Sequence, residues 1–158
     1  MAILNIVKEG DPVLRKKCRP VDTVTPRILR LLDDMRETLI DAEGVGLAAP
    51  QVGVMRRIAI VEKDGEYIEL INPEIIASEG EQEEIEGCLS VPGIWGITHR
   101  PEKVTVKATG RDGKEFTVSG EGIQARAFCH EIDHLYGKLF TDDAVRILSP
   151  EEVKELVG

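Results

Sequence analysis

Positive charge, aromatic side chains, cysteines and long apolar runs are all in short supply in this chain. Its 20 Lys and Arg face 29 Asp and Glu, a formal net charge of −9. That balance argues against a nucleic-acid partner, because phosphate binding needs clustered cations. Aromatic residues make up only 4%, so the core must be built from Ile, Leu, Val and Ala. No apolar run approaches the length of a membrane span, and residues 1–7 are too short and lack the basic stretch of a signal peptide. The three cysteines, Cys18, Cys88 and Cys129, are odd in number and widely spaced. They make no disulfide framework and imply a reducing cytoplasm, where a thiol is free to bind metal.

At 158 residues the chain has the size of one domain, spanning 1–158, and can bury a real core. Residues 24–44 have the pattern of a helix. Thr25 can cap its start, Pro26 suits the first helical position, and Gly44 can close the far end. Ile28, Leu31, Leu32, Met35 and Leu39 form its apolar stripe. Residues 57–61 and 67–71 are β-type runs around an Asp64-Gly65 turn, and 104–109 with 115–119 repeat the pattern around Asp112-Gly113. The acidic run 79–86 has the composition of a solvated loop. A second helix is predicted over about 122–136, ending at Gly137. A short third one starts at Ser149-Pro150-Glu151-Glu152, where cap, proline and glutamate stand in the right order. Hairpins flanked by helices predict an α+β fold rather than a parallel α/β sheet. Antiparallel or mixed sheets would pack around a central helix, with an N-terminal helix and a short C-terminal one.

His130-Glu131-Ile132-Asp133-His134 lies inside the second predicted helix. Residues four apart share a helix face, so both imidazoles can reach one cation while Glu131 stands near enough to handle a bound water. The apolar turns before it imply burial, which obliges the histidines to find partners. Two histidines need a third ligand, leaving a fourth position for water or substrate. His99, Cys18, Cys88, Cys129 and many carboxylates are open candidates. Cys129 points about 100° away from His130 around the helix and, like Cys18, suits a small buried filler. His99, beside Arg100 and Pro101 in an expected loop, suits the surface. Cys88 sits in a glycine-flanked segment where backbone approaches an ion closely, which favours it modestly.

Three segments resemble the signature motifs of the peptide deformylases: Gly44-Val45-Gly46-Leu47-Ala48-Ala49-Pro50-Gln51, then Glu86-Gly87-Cys88-Leu89-Ser90, then the His130–His134 segment. They occur in the family order and at similar separations. The flanks Gly10-Asp11-Pro12-Val13-Leu14-Arg15 and Leu135-Tyr136-Gly137-Lys138-Leu139-Phe140 are also similar, so the resemblance spans nearly the whole chain. It implies a hydrolase that removes the formyl group from the N-terminal formyl-methionine of newly made polypeptides and releases formate. It further implies that Cys88, His130 and His134 hold one divalent ion, characteristically Fe(II), with Zn, Ni or Co as substitutes. Glu131 would be the acid and base, and Gln51 with the Leu89 backbone N–H would steady the oxyanion.

Gly46 permits close backbone approach of a substrate. Ile123 and Ala127 share the His130 face of the helix and, with Val45, are candidates to line a methionine slot. Trp95, which follows the Cys88 loop, suits the cleft lip and an ordinary packing role equally, and Asp133 is expected to pair with Arg100, since the family often carries an arginine there. A zinc endopeptidase would share the helical motif, but its usual third ligand lies downstream. A metal- or peptide-binding module without catalysis would do without Glu131 or Gln51, and both are present. The tail, with Glu151, Glu152 and Glu155 against Lys154, offers ribosomal RNA no basic patch, so transient proximity to the ribosome rests on the resemblance.

Overall fold

The computed structural model describes residues 2–157, and of Val157 only the backbone; Met1 and Gly158, the ends of the expected 1–158 unit, lie outside the described residues. After a 3-10 turn at Pro12–Arg15 comes helix α1, Pro26–Ala42, and then strands β1 (Gly46–Ala48), β2 (Ile58–Lys63), β3 (Glu66–Glu79), β4 (Gln82–Cys88), β5 (Val91–Arg100), β6 (Lys103–Thr109) and β7 (Glu115–Glu121). Helix α2, Ile123–His134, is followed by a single turn α3 (Phe140–Asp143), a short β8 (Arg146–Ile147) and α4 (Pro150–Val157). The strands form a five-stranded sheet in the order β1-β2-β3-β6-β7 and a three-stranded sheet β4-β5-β8. Every pairing within these sheets is antiparallel, which is the expected α+β architecture.

The five-stranded sheet is buried on both faces at β1, β2 and the adjoining part of β3, where its residues alternate between two helices. Leu47, Ile58, Ile60 and Ile71 pack with Leu32, Met35 and Leu39 of α1. Ala48, Ala59, Val61 and Leu70 turn the other way, onto Ala125, Phe128 and Ile132 of α2. That two-sided burial explains the unbroken apolar run from Ile58 to Val61. It also makes α2 the element between the two sheets, since it contacts β1, β2, β6 and β7 on one side and β5 on the other.

The predicted caps are present. The Thr25 side chain accepts from the Ile28 N–H at 3.3 Å. Ser149 and Glu152 bond reciprocally, N–H to Oε1 at 2.9 Å and N–H to Oγ at 3.2 Å. Asp64 and Gly65 take φ of 53° and 84°, as a tight hairpin turn requires.

Three expectations are corrected. The residue that closes α1 in the left-handed region is Glu43, φ 55°, not Gly44. Gly44 is needed for space instead, since a Cβ there would stand 3.0 Å from both Leu39 Cδ1 and Leu89 Cδ1. The acidic run 79–86 is not a loop but the end of β3, a turn at Gly80, and most of β4. β4 is an edge strand, where charged side chains are stable in water and discourage pairing with other chains. His99 belongs to β5 rather than a loop, although its side chain is exposed as expected.

Candidate metal centre

α2 is preceded by the cap residue Gly122, whose N–H donates to the Glu102 carbonyl at 2.9 Å, and it buries polar as well as apolar residues. His130, Glu131 and His134 are 7%, 4% and 1% exposed, so each of these polar groups must be satisfied where it lies. One helical turn apart, the two imidazoles bring their Nε2 atoms to 3.2 Å. Cys88, at the end of β4, places its Sγ 3.4 Å from His134 Nε2. The ligand atoms of all three residues lie within 4.8 Å of one another, and among the described residues no other such group of side chains occurs.

The surroundings suit a cation. His130 Nδ1 stands 2.5 Å from Glu86 Oε2. A carboxylate there holds the proton on Nδ1 and frees the Nε2 lone pair for an ion. Glu86 is itself held by Thr98 Oγ1 at 2.8 Å and by Arg100, whose Nε and Nη2 lie at 3.2 and 2.8 Å. Arg100 reaches on to Asp133 at 2.7 Å, the pairing expected from the sequence. Burial alone would drive the proton off His130, but Glu131, Cys88 and Glu86 outweigh it and draw the ring well above its ordinary range. Burial and the neighbouring His130 push His134 well below it. A site whose negative groups favour one positive charge between two facing nitrogens fits a metal ion with a sulfur and two imidazole ligands.

Glu131 fits a different task. Its Oε1 is buried without a partner among the described residues, and burial, opposed by His130, raises its carboxyl to about 7. A carboxylate near neutrality both takes and gives a proton at working pH. Gly46 makes room for it: a Cβ there would lie 2.5 Å from Glu131 Oε2. Gln51, only 1% exposed, accepts from the Ala48 N–H through Oε1 at 2.9 Å. Its Nε2 donates to Ser90 Oγ at 3.1 Å and lies 3.7 Å from Cys88 Sγ. The amide is thus fixed with its donor toward the metal ligands.

A cleft of about 460 Å³ opens onto this cluster. Val45, Gly46, Leu89, Ile123 and Ala127 all line it, as does Trp95. Trp95 packs on the Gly87 backbone so closely that a Cβ at Gly87 would meet its ring at 2.5 Å. Cys18 and Cys129 are buried, with thiols raised by burial to about 11, as inert fillers should be. The bond from Thr98 to Glu86 and the place of Arg126 in the cleft wall have no counterpart among the residues expected from the sequence. Glu86 carries a signal by lying within the Glu86–Ser90 motif; Thr98 carries none.

A Cys-His-His cluster with both histidines buried, beside a carboxylate poised near neutrality at the foot of a cleft, defines a metal-dependent hydrolase. The family model for polypeptide deformylase matches residues 3–149. A peptide deformylase from Halothermothrix orenii is 58% identical over 149 residues, covering 93% of this chain and 97% of that protein. One from Acetivibrio thermocellus is 51% identical over 154 residues, 98% of this chain and 91% of the relative. The crystal structure of a peptide deformylase from Legionella pneumophila superposes with a TM-score of 0.86 at 47% identity, covering 97% of this chain and 90% of that one. The chain belongs to the polypeptide deformylase family. It is accordingly a hydrolase that removes the N-formyl group from newly synthesised polypeptides.

Proposed function

We propose that residues 1–158 work as one catalytic domain in which Cys88, His130 and His134 hold a single Fe(II) ion, for which Zn, Ni or Co can substitute. The observation that carries this reading is the pairing of that three-residue cluster with the unpartnered, near-neutral carboxylate of Glu131. When bound, the ion supplies a Lewis acid that makes water nucleophilic at about pH 7. Glu131 accepts the proton of that water at its carboxylate and delivers it to the departing amine nitrogen, a role worth typically ~10²–10⁴-fold in rate. The Gln51 side-chain amide and the Leu89 backbone N–H donate to the oxygen of the formyl group as it becomes negative, and losing one such donor costs about 3–4 kcal/mol of transition-state stabilisation.

The Glu86–Arg100–Asp133 chain keeps the His130 ring oriented and its proton on Nδ1. Val45, Ile123 and Ala127 receive the methionine side chain, and the backbone at Gly46 lies close enough to the cleft to bond the peptide. Nascent chains place the work in the cytoplasm, near the ribosome; among the described residues no helix is long and apolar enough to cross a membrane.

The test is anaerobic purification, metal analysis, and formate release from a formyl-methionyl peptide by the native chain and by Glu131→Gln. One ion per chain in both, with formate released only by the native protein, supports the reading. Metal in both and formate from neither defeats it.

A further inference from the structure

The net charge of −9 averages over a surface that is sharply uneven. Behind the end of α2, three separate segments bring cations together through backbone bonds. The Cys18 N–H donates to the Leu135 carbonyl at 2.9 Å, the Arg19 N–H to Met55 at 3.2 Å, and the Arg57 N–H to Arg19 at 3.0 Å. Arg57 Nε also donates to the Cys18 carbonyl at 3.1 Å. Gly137, with φ 79°, lies against Arg15 so closely that a Cβ would stand 2.5 Å from the Arg15 carbonyl oxygen. The segments are therefore clamped rather than loosely adjacent.

These adjoining segments carry Lys16, Lys17, Arg19, Arg56, Arg57 and Lys138, and among the described residues none of the six makes a salt bridge. Lys16, Lys17, Arg19 and Lys138 are exposed, and Arg56 and Arg57 are half-buried. The adjoining carboxylate, Asp142, is bonded to Arg15 at 2.5 Å and also feels Lys138. Tyr136 stands exposed among the cations, with Lys17 Nζ 5.5 Å and Arg57 Cζ 5.2 Å from its ring centre. Six unneutralised cations held close together in an otherwise acidic protein repel one another, and a polyanion relieves that repulsion by releasing its counterions. A regular array of phosphates, with an aromatic ring available among the cations, matches this surface better than an isolated anion does.

We propose that this face, formed by residues 16–19, 56–57 and 136–138, docks the phosphate backbone of RNA. The proposal rests on the reading that the substrate is a chain still being synthesised, and it replaces the expectation of no nucleic-acid partner drawn from net charge. From α2 the cleft is lined by Ile123, Arg126, Ala127, His130 and Glu131, and none of the residues of the basic face lines it. RNA held on that face therefore takes up none of the groups that a peptide in the cleft would meet.

Fluorescence anisotropy of a labelled RNA hairpin, titrated with the metal-loaded protein from about 50 to 200 mM salt, reads the contact directly. Six phosphate contacts predict roughly a 10³-fold loss of affinity over that range. The triple variant Lys17→Glu, Arg19→Glu, Arg56→Glu is expected to lose at least tenfold in affinity with formate release unchanged. Its neutral counterpart, Lys17→Gln, Arg19→Gln, Arg56→Gln, should flatten the salt slope by about three contacts' worth. A control with the same charge change at exposed sites elsewhere, Arg27→Glu, Lys114→Glu, Lys154→Glu, should bind RNA nearly as the native chain does.

Cosedimentation with intact ribosomes separates the sources of phosphate: tighter retention there than on the hairpin assigns ribosomal RNA, and equal binding assigns RNA in general. No salt-dependent binding to either RNA, equal losses in patch and control variants, or binding to anionic phospholipid vesicles alone would overturn the proposal. Formate release is measured separately on each protein, so a failed deformylase reading and a failed RNA contact give different results.

Discussion

Helices α1 and α2 pack against opposite faces of the same five-stranded sheet, yet they are held there by different physics. α1 presents a stripe whose inner residues Leu32, Met35 and Leu39 are wholly buried against apolar neighbours. α2 buries Ala125 and Phe128 in the same manner but also encloses two imidazoles and a carboxylate. Burying such groups is costly unless each is bonded or bound; the Glu86–Arg100–Asp133 chain with Thr98 secures His130, while Glu131 Oε1 and His134 Nδ1 have no partner among the described residues. One helix is therefore fastened by area removed from water, the other by a polar network built around a site. The difference shows why stability and chemistry can be separated in this molecule by mutation.

The largest contrast comes from Arg100→Met, which strands the buried Glu86 carboxylate and frees Asp133. Removing one partner of a buried pair costs about 3–5 kcal/mol, and denaturant unfolding should show that loss together with weaker metal retention in dialysis against a chelator. Leu32→Ala cuts a comparable hole in the other helix, at about 2–5 kcal/mol, but metal content and kcat/KM below the transition should stay native. If Leu32→Ala also released the metal, the two faces would not be independent.

Acid should separate them next. Burial opposes ionisation of Glu86, but its bonds from His130 and Arg100 outweigh that and hold its carboxyl at about 2, below the ordinary 4.5. A carboxyl depressed in the folded state adds stability that is fully present above the unfolded value and disappears as pH falls through the folded one. Stability of the metal-free protein should therefore decline between about pH 4.5 and 2, a fall that Glu86→Gln flattens. The apolar packing of α1 gives no such dependence. The smallest effect is at the α1 cap: Thr25→Ala should cost about 1 kcal/mol in thermal or denaturant melts, with formate release untouched.

What the sequence disclosed divides along similar lines. α1 was legible because its stripe, Thr25 and Pro26 are local signals, and the hairpin at Asp64-Gly65 for the same reason. The His130 and His134 pair was legible because helical spacing alone aligns it. β4 was hidden because an edge strand made of glutamates has the composition of a loop; only its pairing with β5 gives it a shape. The tie from Thr98 to Glu86 depends on that same register and has no signature within either segment. Cys88 was favoured only modestly by its glycine-flanked setting, and it took the three-motif resemblance to single it out. The basic face behind α2 is assembled from three distant segments, so net charge concealed it.

The most direct measurement of the central claim is X-ray absorption at the metal edge of anaerobically purified protein, read with Cys88→Ser in parallel. The account predicts one sulfur and two imidazole nitrogens around a single ion in the native chain, with the sulfur lost in the variant. A native spectrum without sulfur, or one unchanged by Cys88→Ser, would contradict it.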